Sequence, residues 1–157
     1  MSNITRATLA LGNEGVAFQL HPYPYAPSGE KVGLQAAQAL GLDPARVFKT
    51  LMVRAGKQTI CAVIPSDREV SMKALATLVG AKSAEMMKPK DAERVTGYVI
   101  GGVSPFGQRQ PSTIIIDETA FGHDEFYLNA GQRGLLMSLS AADAVRLLGA
   151  TVGAISA

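Results

Sequence analysis

The sequence contains one cysteine, two histidines, little charge and no long apolar run, and each scarcity removes a class of function. With Cys61 alone, no intramolecular disulfide can form, and its place between apolar neighbours on a predicted strand marks a buried structural thiol, not a nucleophile. His21 and His123 lie far apart and with one cysteine make a poor zinc set, so neither a metal nor another cofactor is called for. No apolar stretch reaches the roughly 18 residues of a membrane span, and residues 2–14 lack the core of a signal peptide. The expectation is a soluble, cytoplasmic protein with no membrane partner. Charged residues make up 18% of the chain and the net charge is +2, well short of a basic nucleic-acid-binding domain. Familiar nucleotide signatures are missing too. No Gly-x-Gly-x-x-Gly follows a strand, and Gly56-Lys57 lacks both the upstream glycine and the following Ser or Thr of a phosphate-binding loop. The run Gly102-Val103-Ser104-Pro105-Phe106-Gly107 fails as a nucleophile elbow, because its last glycine comes one residue late and Pro105 has no N–H for an oxyanion hole.

What is present suits a single domain over 1–157, since 157 residues with 47% hydrophobic positions suffice for a real core. Thr5 is placed to cap a helix through Glu14, and Val16, Phe18 and Leu20 alternate as a strand with His21 facing outward, stopped by Pro22 and Pro24. An irregular loop with Tyr23 and Tyr25 covers residues 23–31. A short helix carries Leu34 and Ala37 and ends at Gly41, and Asp43-Pro44 opens another helical turn. Residues 47–55 and 58–64 form a hairpin about Gly56-Lys57, the expected centre of the sheet. Ser71 caps a helix that stops at Gly80, and Pro89 opens one that stops at Gly97. A strand over 113–117 leads to a helix start at Asp117-Glu118, residues 126–129 and 135–139 make a second hairpin, and Ser140 with Asp143 caps the last helix, to Gly149. Interleaved helices and hairpins predict an α/β fold with a mixed sheet.

Two features stand out chemically. Residues 97–107 read as a short apolar strand running into a loop dense in glycine, whose exposed amides make a candidate anion or oxyanion cradle. Lys49 sits inside the apolar strand opening Val47-Phe48-Lys49-Thr50-Leu51, as an edge-strand lysine or as one pointing into a cleft.

Three segments taken together, Val47-Phe48-Lys49-Thr50-Leu51, Gly97-Tyr98-Val99-Ile100-Gly101-Gly102-Val103-Ser104-Pro105 and Gly131-Gln132-Arg133-Gly134-Leu135, closely resemble the YbaK/EbsC family. Members of that family are free-standing relatives of the editing domain inserted in bacterial prolyl-tRNA synthetases, and the YbaK branch hydrolyses cysteine wrongly attached to proline tRNA. The resemblance implies a mixed sheet curled into a barrel-like core with surrounding helices. It implies that Lys49 is the indispensable polar residue near the terminal adenosine, and that residues 101–105 are the Gly-x-x-x-Pro loop against the ester. On this reading Lys49, Gly101 and Gly102 are catalytic, and Tyr25, Thr50, Val103, Ser104, Pro105 and Asn129 bind substrate. The partners are misacylated proline tRNA and prolyl-tRNA synthetase. The chain departs from the family in two places: Tyr25-Ala26-Pro27 replaces a His-Asp-Pro pattern, and Asn129 replaces a small serine. Alanyl- or seryl-tRNA remains an alternative substrate, and a non-catalytic module for tRNA ends or a nucleotide remains an alternative role.

An aminoacyl ester is already activated, so the expected site need only hold it, stabilise an oxyanion and supply a nucleophile. A cysteinyl substrate brings its own in the thiol.

Overall fold

The computed structural model describes residues 3–27 and 31–157. Helix starts follow local capping chemistry. Thr5 accepts from the Thr8 N–H while Thr8 Oγ1 accepts from the Thr5 N–H, opening α1 over Arg6–Asn13. Ser71 and Ser140 cap α3 (Met72–Val79) and α5 (Ala141–Leu148) by the same side-chain bond. Between them lie α2 (Val32–Leu40) and α4 (Pro89–Thr96), and Gly41, Gly80, Gly97 and Gly149 end four of the five helices in left-handed conformation. Asp43 and Asp117 cap short 3-10 helices at Pro44–Arg46 and Glu118–Gly122. Of the loop expected over residues 23–31, positions 28–30 lie outside the described residues.

The strands form two sheets. The first holds β1 (Gln19–Pro22), β7 (Leu135–Leu139) and β6 (Phe126–Gln132), in the antiparallel order β1-β7-β6. The second runs β4-β2-β3-β5-β8. In it β2 (Phe48–Ala55) and β3 (Gln58–Pro65) are an antiparallel hairpin, β5 (Thr113–Asp117) and β8 (Thr151–Gly153) add in parallel, and β4 (Glu85–Met86) touches the outer edge of β2. Among the described residues neither sheet closes on itself, so the barrel-like curl is replaced by two open sheets that meet at the parallel bridge Val47–Tyr127. Their facing sides share one core. Phe48, Met52, Cys61, Val63 and Ile116 meet Phe126, Leu128, Met137 and Leu139, with the Phe48 and Phe126 rings edge to face at 5.1 Å. On the far side of the larger sheet, Val53, Ile60, Ala62, Ile64 and Ile115 bury Leu75 of α3 and Ile155.

Three expectations give way to tertiary contacts. The short apolar strand after Gly97 does not form. Gly97 ends α4 at φ +80°, Tyr98 turns inward to donate its hydroxyl to the Phe106 carbonyl, and the Ile100 N–H goes to the Glu93 carboxylate, leaving no ladder to join. The first strand is shorter than its alternation suggests and includes Pro22, tolerated because β1 lies at a sheet edge. His21 does not face solvent freely, since its Nε2 lies 2.8 Å from Ser138 Oγ and its ring rests against Tyr127.

Candidate active site

A cleft of about 620 Å³ opens along the outer edge of β2. Backbone geometry explains why the edge is open. In an antiparallel pair, residues alternate between bonding their partner and turning N–H and C=O outward. The Val47 carbonyl accepts from the Ser66 N–H, so Val47, Lys49 and Leu51 bond inward to β3 while Phe48, Thr50 and Met52 turn outward. The Met52 carbonyl accepts from the Met87 N–H just beyond β4, and the Val47–Tyr127 bridge sets β6 beside the start of β2. Thr50 is left between the two neighbours. Its backbone N–H and C=O face the gap, and its Oγ1 is buried with no partner among the described residues.

Lys49 leaves the same strand on the opposite face, beside Glu69 and Lys31 at the cleft wall. Its half-burial lowers its pKa below the ordinary lysine value, a shift opposed by Glu69 and reinforced by Lys31. Among the described residues no carboxylate comes within ion-pair distance of it, whereas Lys31 and Glu69 pair with each other at 3.6 Å.

Ile100 and Gly101, which also line the cleft, lie in a tight turn over residues 99–102. The Gly102 N–H donates to the Val99 carbonyl at 2.8 Å, and Gly101 sits at φ +91°, where a type II turn requires glycine. Three of the four backbone polar groups of Ile100 and Gly101, the turn residues on the cleft wall, are tied from outside. The Ile100 N–H donates to Glu93 Oε2 at 2.9 Å, the Ile100 carbonyl accepts from Arg133 Nε at 2.9 Å, and the Gly101 carbonyl accepts from Asn129 Nδ2 at 3.1 Å. One group is left over, the Gly101 N–H, which has no acceptor among the described residues and belongs to a residue on the cleft wall. The Val103 N–H, also on that wall, is likewise without an acceptor among them.

The structure therefore brings Lys49, Thr50, Gly101, Val103 and Asn129 to one cleft and sets other expected site residues behind it. The Gly102 amide is consumed by the turn, and a Cβ there would lie 2.9 Å from the Arg133 nitrogen and 3.0 Å from Gln132 backbone, so this glycine serves close packing. Ser104 is buried, its Oγ accepting from the Phe106 N–H and its carbonyl from Gln108 Nε2, and Pro105 is buried beside it. Asn129 lines the cleft, yet its amide is engaged: Oδ1 accepts from the Gly131 and Gln132 N–H groups across the β6 bulge, while Nδ2 holds Gly101. Tyr25 stands behind the turn, its hydroxyl 3.4 Å from where a Gly101 Cβ would sit and its ring under the Arg133 guanidinium. Sequence reasoning did not single out Lys31, Ser66, Glu69, Met86 or Met87 as cleft residues, nor Arg133 as an anchor. Arg133 alone carried a signal, its place in the Gly-Gln-Arg-Gly-Leu segment.

The family model described as "Aminoacyl-tRNA editing domain" matches residues 27–147. EbsC of Enterococcus faecalis, described as a candidate Cys-tRNA(Pro)/Cys-tRNA(Cys) deacylase, is 36% identical over 121 residues, covering 75% of this chain and 73% of its own. A multifunctional Ser/Thr-tRNA deacylase of Escherichia coli K12 is 24% identical over 143 residues, 90% of this chain and 86% of its own. Among solved structures, a candidate trans-editing enzyme for prolyl-tRNA synthetase superposes with a TM-score of 0.85 at 24% identity, over 97% of this chain and 95% of that one, a likeness of fold. A family match over most of the sequence and a relative of this identity and coverage show that the chain belongs to the aminoacyl-tRNA editing family of deacylases.

Proposed function

We propose that the chain, acting as one domain, removes cysteine from misacylated proline tRNA, with the substrate's own thiol as nucleophile. The observation that carries this reading is the bonding of the 99–102 turn, which leaves the Gly101 N–H, like that of Val103, without an acceptor among the described residues on the wall of a cleft whose described lining holds neither histidine nor cysteine. Such an amide suits an oxyanion. Of the neutral hydroxyls present, Ser66 Oγ donates to the Pro44 carbonyl and Thr50 Oγ1 has no base beside it among the described residues. A thiol needs less help, being a few per cent ionised near neutrality and intrinsically nucleophilic.

The cysteinyl sulfur attacks its own ester carbon, forming a C–S bond, and the Gly101 N–H, with that of Val103, receives the charge on oxygen. Collapse breaks the C–O bond to the ribose, whose oxygen takes up the proton the thiol gave away. Water then opens the thiolactone to free cysteine. The Lys49 cation neutralises phosphate or orients the terminal ribose, and the outward Thr50 carbonyl accepts from the α-ammonium of the aminoacyl group. Discrimination among small side chains by one pocket is limited to about 10- to 200-fold, which gives a second sieve its use. The modest net charge suits weak tRNA affinity reinforced by prolyl-tRNA synthetase alongside.

A second reading, deacylation of seryl- or threonyl-tRNA, is favoured by the E. coli relative that matches 90% of this chain. Single-turnover deacylation of Cys-tRNA(Pro), Ser-tRNA and Thr-tRNA separates the two. The thiol-assisted reading expects the cysteinyl ester to be cleaved fastest, and faster seryl or threonyl cleavage would replace it with the second.

A further inference from the structure

The central peptide of the 99–102 turn, between Ile100 and Gly101, is the one whose flip interconverts type I and type II turns. In the type II state seen here Gly101 has φ +91° and the Ile100 carbonyl faces Arg133 Nε at 2.9 Å. Because the peptide is trans and planar, the Gly101 N–H points opposite to that carbonyl, away from the β6–β7 turn that carries Arg133. A flip would exchange the two, moving the N–H to the Arg133 side and the carbonyl oxygen to where the N–H now points. The neighbouring anchors do not fix this peptide. Glu93 holds the Ile100 N–H, Asn129 holds the Gly101 carbonyl, and both atoms belong to adjacent peptides.

We propose that Arg133 is a positioning residue for deacylation: its Nε–H selects the turn conformation in which the Gly101 N–H serves the oxyanion, and Tyr25, packed against the guanidinium with ring-to-carbon distance 5.4 Å, holds Arg133 in place. This rests on the deacylase reading for its consequence in rate, but not for its consequence in conformation. Arg133 is exposed and lies outside the cleft lining, so it acts through the turn and not on substrate.

Three substitutions separate the hydrogen bond from the charge. Gln places its Nε2 at the same bond count from Cα as Arg Nε, keeping a donor and removing the charge. Lys keeps the charge with a carbon at that position, and Met keeps neither. At an exposed site all three should fold. Single-turnover rates and half-saturating protein concentrations are measured on Cys-tRNA(Pro). On the free proteins, a cross-relaxation peak between Ile100 Hα and the Gly101 amide proton reports the type II turn, and one between the two amide protons reports the flipped turn.

Arg133→Gln, which keeps the donor but loses the Tyr25 contact, should stay closer to the native protein in both readouts than either of the other variants. Arg133→Met and Arg133→Lys should gain the flipped-turn peak and lose about three- to tenfold in rate, the population shift one net hydrogen bond commands, with half-saturation unchanged. If Lys behaves as native while Gln loses activity, Arg133 works by charge on the tRNA and the proposal fails. It fails equally if the turn is unaltered in all three. If the native protein does not deacylate but the turn still follows the donor, the peptide lock stands and the deacylase reading falls.

Discussion

Alanine at Gly101 and at Gly102 should produce opposite defects, although the two glycines are adjacent. At Gly101 the added Cβ would stand 3.3 Å from Arg133 Nε and 3.4 Å from the Tyr25 hydroxyl, ends of side chains that can yield. The strain there comes from φ +91°, which costs an L-residue about 1–2 kcal/mol. The turn can relieve it by flipping the Ile100–Gly101 peptide, which reduces the competent population by about 5- to 30-fold for that energy, below the 100- to 1000-fold typical of losing one oxyanion donor outright. At Gly102 the Cβ would meet backbone of Gln132 and Arg133 at 2.9–3.0 Å, atoms that cannot move aside without shifting the hairpin. Overpacking of this kind costs about 1–3 kcal/mol, or about 2–4 °C in Tm per kcal/mol for a chain of this size. Single-turnover rates and thermal midpoints for both variants decide it. Gly101→Ala should lose rate with a smaller change in Tm, and Gly102→Ala should lose several degrees. A Gly101→Ala protein with native rate would refute the assignment of its amide to the oxyanion.

Lys49→Met should abolish deacylation and raise Tm at neutral pH. A lysine whose pKa is lower folded than unfolded binds fewer protons when folded, so the penalty of its charge is largest below both values and is relieved as pH rises between them; a lower Tm in the variant would show that Lys49 is held by a favourable charge pair instead. Thr50→Val keeps the shape and the backbone carbonyl while removing a buried hydroxyl that has no partner among the described residues, so Tm should rise by about 2 °C or more; a lower Tm would reveal a partner for that hydroxyl. Cys61 is fully buried and burial pushes its pKa up to about 12, so iodoacetamide should leave it unmodified in the folded protein by mass spectrometry. Rapid alkylation with loss of activity would bring a protein thiol back into the mechanism.

Features set by neighbouring residues were legible in the sequence. The hairpin about Gly56-Lys57, the strand Thr113–Asp117, and the caps at Thr5, Ser71 and Ser140 all lie within a residue or so of where local chemistry puts them. Features decided by distant partners were not. Tyr98, Val99 and Ile100 have the composition of a strand, but Phe106, Glu93 and Arg133 take their polar groups. The short strands β4 and β8 carry too few residues for any periodicity, and their pairing depends on the exposed edges of β2 and β5. The split into two open sheets follows from the return of β6 and β7 to β1, a long-range choice that alternation alone does not encode. At the candidate site, Lys49 and the glycine loop are legible as candidates, and Lys49, Gly101 and Val103 line the cleft. Which loop amide stays free is not legible, because it depends on Asn129 and Arg133, some thirty residues further along the chain.

The central claim, that the substrate's thiol attacks an ester held at the Gly101 amide, is tested most directly by single-turnover hydrolysis of cysteinyl-, seryl- and alanyl-tRNA(Pro) at saturating protein. Cysteinyl and seryl groups differ by one atom and should bind alike, but the hydroxyl is almost wholly un-ionised and has no positioned base, and the alanyl group carries no nucleophile. The account predicts cysteinyl far ahead of seryl, with alanyl near the uncatalysed rate. Equal rates for all three would contradict it and assign the cleavage to an activated water.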